Sequence, residues 1–165
     1  MSEPFVIYQG TFDPFTNGHL EIAKQAVAQF GRVRILLLVN PDKQPLFTVA
    51  ERKEMIAAAT AELKGISIDS DTGLLVDYMR AHGVHTCVRG VRNEQDRLYE
   101  MHNHQLSHAL YPALQTVLLT CSSQWKDVSS SAVKAACLQG KLPRGWVSEA
   151  VLAALKQKFP DLQVI

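Results

Sequence analysis

Short apolar runs recur along the chain at residues 5–8, 33–39, 66–68, 84–88 and 116–120, rich in valine, isoleucine, leucine and threonine. Each is of strand length and carries the residue types that favour extended backbone. Between the runs the apolar positions fall three and four apart, as in Leu20, Ile22, Ala23, Ala26 and Val27. That spacing is the period of a helix with one buried face. Strand and helical crossover in alternation predict an α/β fold, a five-stranded parallel sheet with helices on both faces. Helix punctuation agrees. Thr48 with Glu51 forms a capping box, Gly83 and Gly140 stand where helices should stop, and Pro112 blocks extension beyond Leu110. A last amphipathic helix is expected at about residues 148–159, with Val151, Leu152 and Leu155 on the face that packs.

Composition narrows the picture. With 165 residues, 47% of them apolar, the chain can bury one full core, so a single domain over residues 1–165 is expected. Seventeen basic and sixteen acidic side chains leave a formal charge of +1. Such a balance offers no global field for nucleic acid or an anionic membrane, so any anion site must be local. No basic leader precedes an apolar run, and no stretch nears the roughly 20 apolar residues of a membrane span. The expectation is a soluble, cytoplasmic protein. Cys87, Cys121 and Cys137 are odd in number and widely spaced, which predicts reduced thiols, not a disulfide framework or a metal knuckle.

In open α/β sheets ligands bind beyond the carboxyl ends of strands, where loops enter helices. The first such loop reads Gln9-Gly10-Thr11-Phe12-Asp13-Pro14-Phe15-Thr16-Asn17-Gly18-His19. Strand, glycine-containing loop and helix start together make an anion site, because free N–H groups and the helix dipole face the loop. Gly10 allows close backbone approach, Thr11 and Thr16 carry hydroxyls, Gly18 leaves the helix entrance clear, and His19 is placed to donate to a phosphate oxygen. Lys43 follows the second strand in Asn40-Pro41-Asp42-Lys43-Gln44-Pro45, and Arg89 and Arg92 flank Gly90 after the fourth. A guanidinium fork suits phosphate oxygens. After the fifth strand, Val128-Ser129-Ser130-Ser131 supplies hydroxyls at a helix entrance, although serine is favoured there as an N-cap in any case. His104 and His108 stand four apart, yet no third ligand accompanies them, so a histidine cluster facing solvent or another subunit is expected and no resident metal.

The string G-T-F-D-P followed by T-x-G-H, with V-S-S-S later, resembles both signatures of the T/HxGH nucleotidyltransferases. Read with Asn40-Pro41-x-Lys43-x-Pro45-Leu46-Phe47-Thr48, Arg89-Gly90-Val91-Arg92, Gly73-Leu74-Leu75, Asp96, Tyr99-Glu100 and Trp125, nearly the whole chain resembles the bacterial phosphopantetheine adenylyltransferases. The resemblance implies a Rossmann-like nucleotidyltransferase domain, a homo-hexamer, and Mg²⁺ carried by ATP. It implies transfer of AMP from ATP to 4′-phosphopantetheine, giving dephospho-coenzyme A and pyrophosphate. Thr11, His19, Lys43 and Arg89 would surround the reacting phosphates. Ser129, Ser130 and Ser131 would hold the outer ones, and Gly10, Phe12, Gly90, Arg92, Asp96, Glu100 and Val128 would complete the ATP side. The acceptor arm would meet Leu74, Leu75, Asn103, Leu106 and Ser107.

The departures from that family gather on the acceptor side. Asn103, His104, Ser107 and Ala135 stand where its members usually carry leucine, alanine, asparagine and glutamate. Two other readings therefore stand beside the first: a nucleotidyltransferase with a different phosphorylated acceptor, and a nucleotide-binding module without turnover.

Overall fold

A computed structural model describes residues 3–165. Strands β1 (Val6–Gly10), β2 (Val33–Leu38), β3 (Ile66–Asp71), β4 (Thr86–Val91) and β5 (Gln115–Thr120) form one parallel sheet in the order β3-β2-β1-β4-β5. Helices α1 (Asn17–Phe30), α2 (Val49–Ala59), α3 (Leu75–His82) and α4 (Glu94–Leu110) make the crossovers. Helices α5 (Ser130–Leu138) and α6 (Glu149–Lys158) follow the sheet. Chain direction through the sheet switches between β1 and β4, and the crevice at such a switch is where open α/β sheets bind ligands.

The two-residue period of the strands divides the core. Val6, Tyr8, Val33, Ile35 and Leu37 turn to the face covered by Ile22, Ala23 and Ala26 of α1. Ile7, Leu36 and Cys87 turn to the other, against Tyr78 and Met79 of α3. A third cluster joins Phe47 to Val133, Leu142, Val151 and Leu155, which docks α6 as its apolar stripe predicts. Burying each such aliphatic side chain contributes about 1.5–3 kcal/mol. All three cysteines are free thiols. Among the described residues no helix is long and apolar enough to cross a membrane.

Several strands run further than the apolar runs indicate. Arg89 and Gly90 lie inside β4, where they pair with Leu118 and Leu119 of β5, and Gly10 ends β1 opposite Leu37. Parallel pairing satisfies the backbone whatever the side chain, so polar residues at strand ends are carried into the sheet. A two-stranded parallel pair, β6 (Lys141–Leu142) with β7 (Gln163–Val164), was not indicated by the sequence pattern.

Candidate active site

Helix α1 starts where Thr16 caps it: its Oγ1 accepts from the His19 N–H at 3.2 Å, and Nδ1 of His19 accepts from the Thr16 N–H at 3.0 Å. This is a capping box with an imidazole in the place usually taken by glutamate or glutamine. A backbone N–H can only donate, so Nδ1 carries no proton and the ring proton sits on Nε2. The ring meets Phe12 edge-on at 5.1 Å and stacks on Phe15 at 5.5 Å. Burial, and then the nearby charges of Arg89 and Arg92, push its pKa down to about 3. His19 is thus a neutral Nε2–H donor held in one tautomer. Capping and donation toward the site use different nitrogens of the same ring.

The glycines around it have unequal reasons. A Cβ at Gly10 would stand 2.9–3.2 Å from three atoms of the Phe12 ring, so the first demand on Gly10 is packing, before any ligand. Phe12 itself adopts φ 50° and is 3% exposed, which makes its ring a wall of the site. Gly90 faces α1, where a Cβ would come within 2.8 Å of Ile22. At Gly18, which is buried, a Cβ would fit in ordinary contact with Thr16, Trp125 and the Val128 carbonyl at 3.5–3.8 Å, so packing there does not by itself demand glycine.

Two hollows meet at His19. One, of about 230 Å³, is lined by Gly18, Arg92, Asp96, Val128 and Ser129. The other, of about 180 Å³, is lined by Gly10, Thr11, Phe12, Arg89 and Ser130. Tyr8, His19 and Gly90 border both. A narrow third hollow, about 30 Å³, shares Gln9 and Arg89 with the second and reaches Leu75, Asn103, His104 and Ser107. A fourth, about 170 Å³, shares Thr11 and is bordered by Lys43 and Arg52. Lys43 therefore stands beside the hollow of His19, separated from it by Thr11.

The arginines are not free. Arg89 grips Glu100 through Nε and Nη2, at 2.9 and 2.8 Å, and donates from Nη1 to the Gln9 carbonyl. Glu100 thereby orients Arg89 while its body borders the hollow of about 230 Å³. Arg92 donates to Asp96 at 2.9 Å. Ser129 accepts from the Ala132 N–H at 3.0 Å as the N-cap of α5, and Ser130 donates to the Pro14 carbonyl at 2.8 Å. Ser131 is exposed, outside these hollows. Leu74 and Leu106, 58% and 59% exposed, also stand outside the hollow that Leu75 borders. His104 bonds through Nδ1 to Thr116 Oγ1 at 2.8 Å, its ring 5.4 Å from that of His108. Among the described residues no group of three or more His, Cys, Asp or Glu side chains could hold a metal.

Two buried residues that the sequence reading passed over border the same region. Asp13 accepts from the Leu46 and Phe47 N–H groups at 2.8 and 3.0 Å, and Arg52 donates to the Thr11 carbonyl at 2.9 Å. A signal existed for Asp13, which stands inside the first loop's motif. Arg52 shares the buried face of α2 with Met55 and Ile56, a place where a charged residue in the sequence gives no signal of its own.

The family model described as cytidylyltransferase-like matches residues 7–136. The phosphopantetheine adenylyltransferase of Syntrophus aciditrophicus is 39% identical over 154 residues, 93% of each chain. That of Thermotoga neapolitana is 37% identical over 94% of this chain and 96% of its own. That of Actinobacillus pleuropneumoniae serotype 3 is 41% identical over 93% of this chain and 97% of its own. Among solved structures, a bifunctional NMN adenylyltransferase/ADP ribose pyrophosphatase from Francisella tularensis, complexed with AMP and a manganese ion, superposes with a TM-score of 0.70 at 17% identity. This chain spans 50% of that longer protein, and at such identity the likeness is one of fold. Signatures, sheet order and near-complete alignment agree: the chain belongs to the phosphopantetheine adenylyltransferase family, within the cytidylyltransferase-like nucleotidyltransferases.

Proposed function

We propose that the protein transfers AMP from ATP to 4′-phosphopantetheine, releasing pyrophosphate and forming dephospho-coenzyme A. The observation that carries this reading is the neutral His19, its Nε2–H the donor at the junction of two hollows, one bordered by Arg92, Asp96 and Ser129 and the other by Thr11, Arg89 and Ser130. An oxygen of the acceptor phosphate attacks the α-phosphorus in line. The new P–O bond forms as the bond to the bridging oxygen breaks, and pyrophosphate leaves with that electron pair. The attacking phosphate is already ionised at neutral pH, so no general base and no covalent enzyme intermediate are required. Positioning and charge neutralisation carry the rate.

In this reading the nucleotide lies along Gly90, Arg92, Asp96, Glu100 and Val128, with its α-phosphate beside Thr11 and His19. Ser129, Ser130 and Ser131, with the N-terminus of α5, hold the outer phosphates. Lys43 and Arg89 offset repulsion between two anionic reactants, and the acceptor arm runs past Leu75, Asn103 and Ser107. Mg²⁺ enters with ATP as part of the substrate, because Asp96 and Glu100 are already engaged by Arg92 and Arg89. The protein works in the cytoplasm as a homo-hexamer, for which the exposed leucines of α4 provide a surface.

A pyrophosphate-release assay with ATP and a panel of phosphorylated acceptors tests the reaction. Turnover is expected with 4′-phosphopantetheine above the rest. The narrow acceptor hollow, bordered by Asn103, His104 and Ser107, favours the second reading, another phosphorylated acceptor, and turnover with a different panel member alone would select it.

A further inference from the structure

We infer that Asp13 and Arg52 are positioning residues that set the reach of Lys43 toward the reacting phosphates, an inference that rests on the role proposed above for Lys43. The segment between β2 and α2 starts from a strand end, where the Val39 N–H meets the Asp71 carbonyl at 2.8 Å. It then turns at Asn40, whose carbonyl accepts from the Lys43 N–H at 3.1 Å. Lys43 itself is exposed on this loop. Three residues later the loop is drawn against the first one. The Asp13 carboxylate, 1% exposed, accepts from the Leu46 N–H with one oxygen and the Phe47 N–H with the other. Lys134 of α5 adds a third contact at 3.3 Å.

Arg52, 2% exposed, closes the same seam from α2. Its Nε donates to the Phe47 carbonyl at 3.1 Å and its fork to the Thr11 carbonyl at 2.9 Å. The two side chains thus bridge the two loops in opposite senses, Asp13 taking the amides of the second and Arg52 the carbonyls of both. Thr11 and Lys43 border the hollow beneath that seam. Neither Asp13 nor Arg52 borders the hollow in which His19 and Arg89 meet, so neither is placed to touch the transferred group. What they fix is the separation of Thr11 from the lysine loop. A long exposed side chain can act on a phosphate only from a backbone held at the right distance, and displacement by about 1 Å can lower a rate a hundredfold.

Asp13→Asn keeps the shape and one accepting oxygen. It is expected to lower kcat/KM for 4′-phosphopantetheine about tenfold or more while the KM for ATP stays within about threefold. The decisive measurement is a double-mutant cycle with Lys43→Ala. If Asp13 acts through Lys43, adding Asp13→Asn to Lys43→Ala should change kcat/KM by about twofold or less. A merely structural carboxylate would lower both backgrounds alike, and full additivity overturns the inference. Should Lys43→Ala alone leave acceptor use unchanged, the proposed role of Lys43 fails and this inference with it, a pattern distinct from additivity. If Asp13→Asn does not fold, Arg52→Lys, which retains the charge but cannot span both carbonyls, enters the same cycle with the same expected outcome.

Discussion

Because the Thr16 amide occupies Nδ1 of His19, the ring offers its only proton from Nε2, and desolvation, with Arg89 and Arg92 nearby, keeps it neutral. Removal of one preorganised donor to a developing charge typically lowers turnover 10²–10³-fold, so His19→Ala is expected to reduce kcat by about that factor with little change in ATP affinity. Steady-state kinetics on the folded variant check this; near-normal kcat would assign the ring to capping alone. The same ring makes stability depend on pH. Above its usual pKa of 6.5 it is neutral in folded and unfolded chains alike and contributes no slope. Between 6.5 and about 3 the unfolded chain binds a proton that the folded chain excludes, so stability falls as pH falls, by at most about 1.4 kcal/mol per pH unit. Thermal melts from pH 7 to pH 5 should therefore show a shallower decline for His19→Gln than for the wild type. Position in the first turn was legible from the motif. Charge state was not, since it depends on burial within the fold and on two arginines, Arg89 and Arg92, brought from far along the chain.

At the scale of elements, α4 is unusual in having a single buried side chain along its length, Glu100. That carboxylate accepts from Nε and Nη2 of Arg89 in β4, one with each oxygen. Helix and strand are therefore joined at the site by an ion pair, with little apolar packing around it. Breaking a buried pair from one side leaves an uncompensated charge, so Glu100→Ala is expected to lower unfolding free energy by about 3 kcal/mol, measured by urea denaturation. A change below about 1 kcal/mol would mean that water takes the carboxylate's place. Sequence reading places Arg89 and Glu100 separately beside the nucleotide. Their pairing is a tertiary fact, made possible because β4 extends three residues past the apolar run and carries Arg89 level with the first turns of α4. Capping boxes and glycine stops are read more securely, because their partners lie within four residues: Thr48 with Glu51, and Gly83 in its left-handed conformation.

For the molecule as a whole, Leu98, Leu106 and Leu110 of α4 are each more than half exposed, and β5 beside it is the sheet's edge. Leu106 and Leu110, four apart, share one face. If copies of the chain assemble through that face, Leu106→Glu with Leu110→Glu should reduce the sedimenting mass to that of a smaller species, and an unchanged mass would move the interface elsewhere. The amino-acid sequence by itself determined the α/β architecture, the strand and helix rhythm, and the motifs at the carboxyl ends of β1, β4 and β5. It did so because hydrophobic period, caps and motif spacing are local or periodic, and a local pattern is written in neighbouring residues. Only the tertiary structure decided that Gly10 yields to the Phe12 ring, that Arg89 is held by Glu100, and that Asp13 and Arg52 seam two loops together. Those contacts join residues that are apart in the chain and become neighbours once the sheet brings the loop ends together. Burial then sets the charge state of His19 and the partners of each arginine, and no residue's own chemistry contains that information.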